Sequence, residues 1–346
     1  MTPASVLLAS GAHALTSIHG SVSHTTKHPS PDPAMQKVLS TLSGLHGKPI
    51  ETLSPAEARL QPTPADAVKK ILEDENNLVV SDSNLRITNL LIDGPLGQIP
   101  LHIYTPLGDG PFPVLMYYHG GGFVIASSKT YEASIRALAK GAQAIVVAVD
   151  YHQAPEFPFP AAVEDAVVAY QWVLDHAQEL NGDPENVAVS GESAGGNLAA
   201  VVSLIARDKK IKSPVHQLLI YPVLNDDLDS NSYLRNANAK PLNKEMMKWF
   251  FSHYAADATS PYALPIKAPT LRDLPSATII TAEVDPLMCD GKFYADRLRF
   301  EGVDVSYEEY FGVTHEFFGM ADVVPKAKEA QLFAVENLLA AFRKRK

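Results

Sequence analysis

Ser193 lies in Gly191-Glu192-Ser193-Ala194-Gly195-Gly196, after the apolar, β-prone run Asn186-Val187-Ala188-Val189-Ser190 and before a stretch of helix formers at 197–206. Gly-x-Ser-x-Gly alone recurs by chance. Between a strand and a helix it describes a sharp turn that lifts a serine hydroxyl to the end of a sheet, with glycine where two backbones approach closely. The N–H of Ala194 and the positive end of the following helix then face a reacting carbonyl.

Serine is a poor nucleophile unless a base takes its proton and an acid holds that base in one tautomer. Chain order supplies candidates for both. The strand-like run 276–282 leads into Glu283-Val284-Asp285-Pro286-Leu287, which puts Asp285 just past a strand end. Glu283 and Asp290 are nearby carboxylates, and Asp290 reads as a helix N-cap. The alternating run 305–310 leads into Phe311-Gly312-Val313-Thr314-His315-Glu316-Phe317, so His315 can meet Ser193 with Asp285 behind it. Earlier, His119-Gly120-Gly121-Gly122-Phe123 follows the strand-like run 113–118. A Gly-rich loop lets backbone N–H groups reach a tetrahedral oxygen without a Cβ in the way. Taken alone it is an ordinary turn; ahead of the serine turn it completes a set.

On these four stretches the chain resembles the hormone-sensitive-lipase-like esterases, bacterial family IV, of the α/β-hydrolase fold. A fifth stretch agrees: Val149-Asp150-Tyr151-His152-Gln153-Ala154-Pro155-Glu156-Phe157-Pro158-Phe159-Pro160-Ala161-Ala162. The resemblance spans roughly residues 85–340 and implies Ser193 as nucleophile, Asp285 as acid and His315 as base. It places the oxyanion donors on Gly121, Gly122 and Ala194. It also implies a helical cap, half from the N-terminal helices and half from an insertion at about 225–261.

The chain departs from the family at several positions. Glu192 stands where Asp or Thr is usual, and Glu316 where Gly is frequent. His152 and Gln153 replace Arg-Leu, and Phe157 replaces His. No catalytic atom is lost, but two extra carboxylates flank the proposed centre. Glu192 reads as an acceptor of backbone N–H bonds behind the turn, or as a charge facing the pocket that would hold His315 protonated to higher pH.

Around these residues the pattern alternates strand and helix. Strands are expected near 85–92, 99–104, 113–118, 144–149, 186–190, 216–221, 276–281 and 304–310. Helices are expected near 130–140, 160–180, 195–208, 291–301 and 325–342. Runs such as 144–149 have no polar face, as in a strand buried on both sides of a mostly parallel sheet. The fold class is therefore α/β, a mostly parallel sheet flanked by helices. The domain reading is a flexible lead-in at 1–33, cap helices at 34–80 and a catalytic domain at 81–346. In the insertion, 225–232 is polar. A helix follows, with Met246, Met247, Trp249, Phe250, Phe251 and Tyr254. Phe123, Trp249 and Phe250 are the expected substrate contacts.

A formal charge of −10 opposes nucleic acid or an anionic membrane as a partner. The single cysteine, Cys289, excludes an intrachain disulfide and reads as a small buried helix residue rather than a reactive thiol. No metal-ligand cluster and no cofactor motif stands out, so none is expected. The expected partner is a small-molecule ester, with a homodimer left open. Residues 1–26 carry no charged side chain and faintly suggest a secretory signal, but lack a basic start and a long apolar core. A cytoplasmic location is expected, with secretion or a periplasmic site as the alternative. Hydrolysis of short- to medium-chain esters is the reading. The alternatives are the same chemistry on a lactone, amide or acetylated side chain, a hydrolase-fold lyase, or a hydrolase-fold protein that only binds its ligand.

Overall fold

The structure, a computed structural model, describes residues 29–77 and 84–344. Among them eight strands form one sheet. They are β1 (Leu85–Gly94), β2 (Gly97–Pro106), β3 (Phe112–Tyr118), β4 (Ile145–Val149), β5 (Gly182–Glu192), β6 (His216–Ile220), β7 (Ser276–Val284) and β8 (Val305–Thr314). Their order across the sheet is β1-β2-β4-β3-β5-β6-β7-β8. β2 runs antiparallel to β1 and β4, and the remaining neighbours are parallel. The helices are α1 (Pro33–Gly44), α2 (Pro55–Ala58), α3 (Pro64–Asp74), α4 (Glu132–Ala142), α5 (Ala161–His176), α6 (Ala194–Asp208), α7 (Asn231–Arg235), α8 (Lys244–Tyr254), α9 (Met288–Phe300) and α10 (Pro325–Arg343).

The central strands are apolar throughout because both faces are covered. Ile145, Val147 and Val149 of β4 point into one core, shared with Ala166 and Val173 of α5 and Leu198 of α6. Val146 and Ala148 point into the other, shared with Ile135 and Leu138 of α4 and Ala334 and Leu338 of α10. The period of two along each strand divides one run between two cores. Each fully buried Val, Ile or Leu contributes roughly 1.5–3 kcal/mol.

Two differences from the sequence expectation concern the site. β8 runs on to Thr314, past the expected end at 310, so His315 follows directly on a strand end. α9 starts at Met288, three residues ahead of expectation, with Leu287 as its N-cap. Asp290 is therefore inside the helix rather than its cap. At the amino end, Pro33, the last residue of the expected lead-in, instead opens α1 at N1, where its missing N–H is no loss. Asp32 caps that helix through Met35 N at 2.9 Å. The rest of the expected lead-in up to residue 28, including the ambiguous signal, lies outside the described residues. Among the described residues no helix is long and apolar enough to cross a membrane.

Candidate active site

β5 ends at Glu192 and α6 starts at Ala194, so Ser193 alone makes the turn. It sits at φ 57, ψ −117, a backbone state that costs about 1–3 kcal/mol outside glycine. Its N–H bonds the Ile220 carbonyl at 2.9 Å, and its own carbonyl accepts from Asn197 and Val223, which hold the strained turn from three sides. A Cβ on Gly195 would lie 1.8 Å from the Tyr118 carbonyl oxygen, and one on Gly191 would lie 2.2 Å from the Gly195 oxygen. Only glycine permits this crossing.

His315 Nε2 stands 2.9 Å from Ser193 Oγ, and its Nδ1 is 2.6 Å from Asp285 Oδ2. All three are buried. Burial works against protonating His315, but Asp285 first, then Glu316 and Glu192, outweigh it and hold the imidazole above its ordinary value. The Asp285 loop is pinned from α7. Asn236 Nδ2 donates to the Glu283 and Asp285 carbonyls at 3.0 Å each, and Ser232 Oγ donates to the Pro286 carbonyl at 2.6 Å. The neighbouring carboxylates are engaged elsewhere. Glu283 accepts from Gly312 N at 2.8 Å, and Asp290 accepts from Leu224 N and Asn225 N. Cys289 is buried in α9.

The glycine loop after β3 turns back on itself, with Val124 N and Ile125 N donating to the Gly121 carbonyl. Gly121 and Gly122 have φ 98 and φ 59. A Cβ would strike the Ile125 carbonyl at 2.1 Å from the first and the Phe250 ring at 2.1 Å from the second. Three side chains hold the loop. Tyr151 donates to the His119 carbonyl at 2.9 Å, and its ring stacks on His119. Gln153 Nε2 donates to the Ile125 and Ala126 carbonyls at 2.9 and 3.0 Å. Arg59, just after α2, donates to the Val124 and Ala154 carbonyls at 2.8 and 2.9 Å and forks onto Glu156. Of the other substituted family positions, His152 Nδ1 meets Asp165 at 2.6 Å and Phe157 packs edge-on against His152.

Glu192 neither takes backbone N–H bonds nor opens on the pocket. The phenols of Tyr117 and Tyr221 donate to its two oxygens. Burial, then the charge of Glu316, pushes it up to about 7 against those two donors. The phenols are pushed well above their ordinary value by burial and by Glu192, so they remain donors. The correction has a simple cause: the residue before the nucleophile points under the sheet end, where β3 and the end of β6 offer tyrosines. Glu316 does face the site. Tyr131 donates to its Oε1 at 2.6 Å, and that oxygen is 3.8 Å from His315 Nε2. Burial raises Glu316 too, opposed by His315.

A cavity of about 420 Å³ opens above Ser193. Its floor is Ser193, His315, Glu316, Gly121 and Gly122; its walls include Leu39 and Leu42 of α1, Ile50, Arg59, and Met246, Met247 and Phe250 of α8. Of the three expected aromatic contacts only Phe250 lines it. Phe123 is buried with its ring stacked on Tyr254, 3.8 Å between centroids. Trp249 turns away, and its indole N–H donates to the Leu53 carbonyl at 3.1 Å. Arg59, Ser232, Asn236, Tyr131 and Tyr221 escaped the sequence reading. None stands in a recognisable motif, and each meets its partner from a distant segment.

Comparison with known proteins bears on what this arrangement does. A family model described as the alpha/beta hydrolase fold matches residues 115–319. The chain is 41% identical over 272 residues to the esterase LipI of Mycobacterium tuberculosis, covering 77% of this chain and 85% of that protein. It is 38% identical over 315 residues to the carboxylesterase NlhH of the same organism, covering 88% and 94%. The solved structure of a hyperthermophilic esterase from the archaeon Pyrobaculum calidifontis superposes with a TM-score of 0.80 at 35% identity, covering 90% of this chain and 98% of that one.

Proposed function

The chain belongs to the hormone-sensitive-lipase-like esterases of the α/β-hydrolase fold and is a carboxylic ester hydrolase, and we propose that Ser193 is its nucleophile, His315 its base and Asp285 its acid. One observation carries the assignment: Ser193 Oγ, His315 Nε2, His315 Nδ1 and Asp285 Oδ2 follow one another at 2.9 and 2.6 Å at the floor of a cavity.

His315 takes the Ser193 proton as Oγ adds to the ester carbonyl. The N–H groups of Gly121, Gly122 and Ala194 hold the oxyanion, the last aided by the positive end of α6. His315 returns the proton to the departing alkoxide and the alcohol leaves. Water, activated by the same imidazole, then hydrolyses the acyl-serine. Asp285 keeps Nδ1–H toward itself and stabilises the imidazolium.

The N-terminal helices, together with the segment 225–261, act as a cap. The volume and its largely apolar walls favour short- to medium-chain acyl esters over triglyceride emulsions. The partner is a small-molecule ester, and a formal charge of −10 opposes nucleic acid and anionic surfaces. The test pairs labelling with a rate series. An organophosphonate should add one equivalent to the Ser193 peptide and abolish turnover of p-nitrophenyl esters. Rates from acetyl to palmitoyl should peak at short to medium chains. Labelling elsewhere, or a maximum at palmitoyl, refutes the respective half.

A further inference from the structure

An amide leaving group carries a hydrogen that an ester leaving group lacks, and this site holds an acceptor for it. Glu316 lines the same cavity as Ser193, Gly121 and Gly122. Its Oε1 lies 3.8 Å from His315 Nε2, the nitrogen that faces Ser193 Oγ. Tyr131 fixes the carboxylate through a 2.6 Å bond to that oxygen. The Glu316 side chain is 20% exposed, against 4% for His315, so it reaches the cavity. A carboxylate has about four lone-pair sites, and Tyr131 takes one. Ester hydrolysis through Ser193, His315 and Asp285 gives this acceptor no task.

We propose that Glu316 accepts a hydrogen bond from the scissile N–H of an amide, and that the site therefore hydrolyses anilides and other secondary amides as well as esters. The inference rests on the reading of Ser193 as nucleophile and His315 as base. Ser193 Oγ–H gives its proton to Nε2 as Oγ adds to the amide carbon. In the tetrahedral adduct the nitrogen lone pair must turn toward Nε2–H, which turns the nitrogen's own hydrogen away from it. Nε2 then passes the proton to nitrogen, and the C–N bond breaks with its electron pair going to nitrogen. The carbonyl re-forms on the acyl-serine, and the amine leaves with both hydrogens. Water hydrolyses the acyl-serine as it does after an ester.

The N–H that turned away needs an acceptor held in place beside the adduct, or its hydrogen bond is lost in the transition state. Two hydrogen bonds of about 2.9 Å each span the 3.8 Å between Nε2 and Oε1, so one nitrogen can reach both. The oxygen of an ester has no hydrogen to place at that stage, so Glu316 discriminates between the two substrate classes.

The test compares p-nitrophenyl butyrate with p-nitrobutyranilide, which share an acyl group, in the wild-type protein, Glu316→Gly and Glu316→Gln. Glycine suits the backbone there, where φ is 70, and thermal melting checks that both variants fold. Wild type should release nitroaniline. In Glu316→Gly, kcat/KM should fall about tenfold further for the anilide than for the ester. Glu316→Gln, which keeps one carbonyl acceptor, should fall in between. Ester turnover without anilide turnover in wild type, or equal losses on both substrates in Glu316→Gly, overturns the proposal. A wild type inactive on the ester overturns the Ser193 reading first and this one with it.

Discussion

The floor and the roof of the cavity are built differently. Every floor group stands on the sheet end and is fixed by short contacts from the core. A Cβ at Gly195, Gly121 or Gly122 meets another atom at about 2 Å, and Asp285 is held by a loop that α7 pins at three carbonyls. The roof is made by α1, α2, the 3-10 turn at Ile50–Thr52 and α8. It is held by scattered polar bonds such as Trp249 to Leu53 and Asn243 to Glu51, both 3.1 Å, with half-buried side chains around them. On the proposed mechanism the floor must be rigid because a transition state tolerates little displacement, whereas a roof acting as the proposed cap only needs to exclude water and bound the substrate. Arg59 spans the two, a roof residue that bonds the carbonyls behind the floor's glycine loop.

The division predicts that floor variants lose kcat, that roof variants change KM and substrate range, and that Arg59, which joins the two, loses kcat through the loop it holds. Ser193→Ala should keep the fold and lose about 10⁴-fold or more in kcat; a folded variant with a tenth of wild-type kcat would end the assignment. Gly122→Ala puts a Cβ 2.1 Å from the Phe250 ring at φ 59, and should cost about 10²–10³ in kcat with a lower melting temperature. A pure KM effect would move Gly122 to the roof. Arg59→Ala should cost about tenfold in kcat, because the loop carbonyls lose charged donors. An unchanged kcat would show that the roof is mechanically separate from the floor. Phe250→Ala should leave kcat for short esters within a few-fold and shift preference toward longer acyl chains, measured across the same p-nitrophenyl series.

The smallest effect is on pH. As the proposed base, His315 must be neutral to act, and its carboxylate neighbours favour the charged form, so activity should be lost as pH falls through a raised pKa. Glu316→Gln removes one of those neighbours. The acid limb of kcat/KM should therefore move to lower pH by less than about one unit. An acid limb that stays put would show that Glu316 is electrostatically silent toward His315.

Much of the floor was legible because its constraints are local. The serine turn is a strand, five residues and a helix, and the glycine loop follows its own strand; both are steric demands written in neighbouring residues. The order of strands placed Asp285 and His315 at sheet ends, and the structure puts both within hydrogen-bond reach of their partners. Reading failed where one side of an element had to be chosen. Trp249 and Phe250 are adjacent on α8, and sequence spacing could not say which faces the cavity. Glu192 was legible as unusual but not as the acceptor of two phenols.

By itself, then, the sequence determined the fold class, the candidate nucleophile with its Gly-rich partner loop, and the strand ends that carry Asp285 and His315, the candidate acid and base. Close backbone approach and two-sided burial leave few residue choices, and those choices are visible locally. Only the tertiary structure decided which carboxylate lines the cavity, which aromatic ring lines it, and that Arg59 and Asn236 brace the two loops. Those contacts join residues about 50 to more than 180 positions apart, and a side chain's partner across such a distance is set by how whole elements pack.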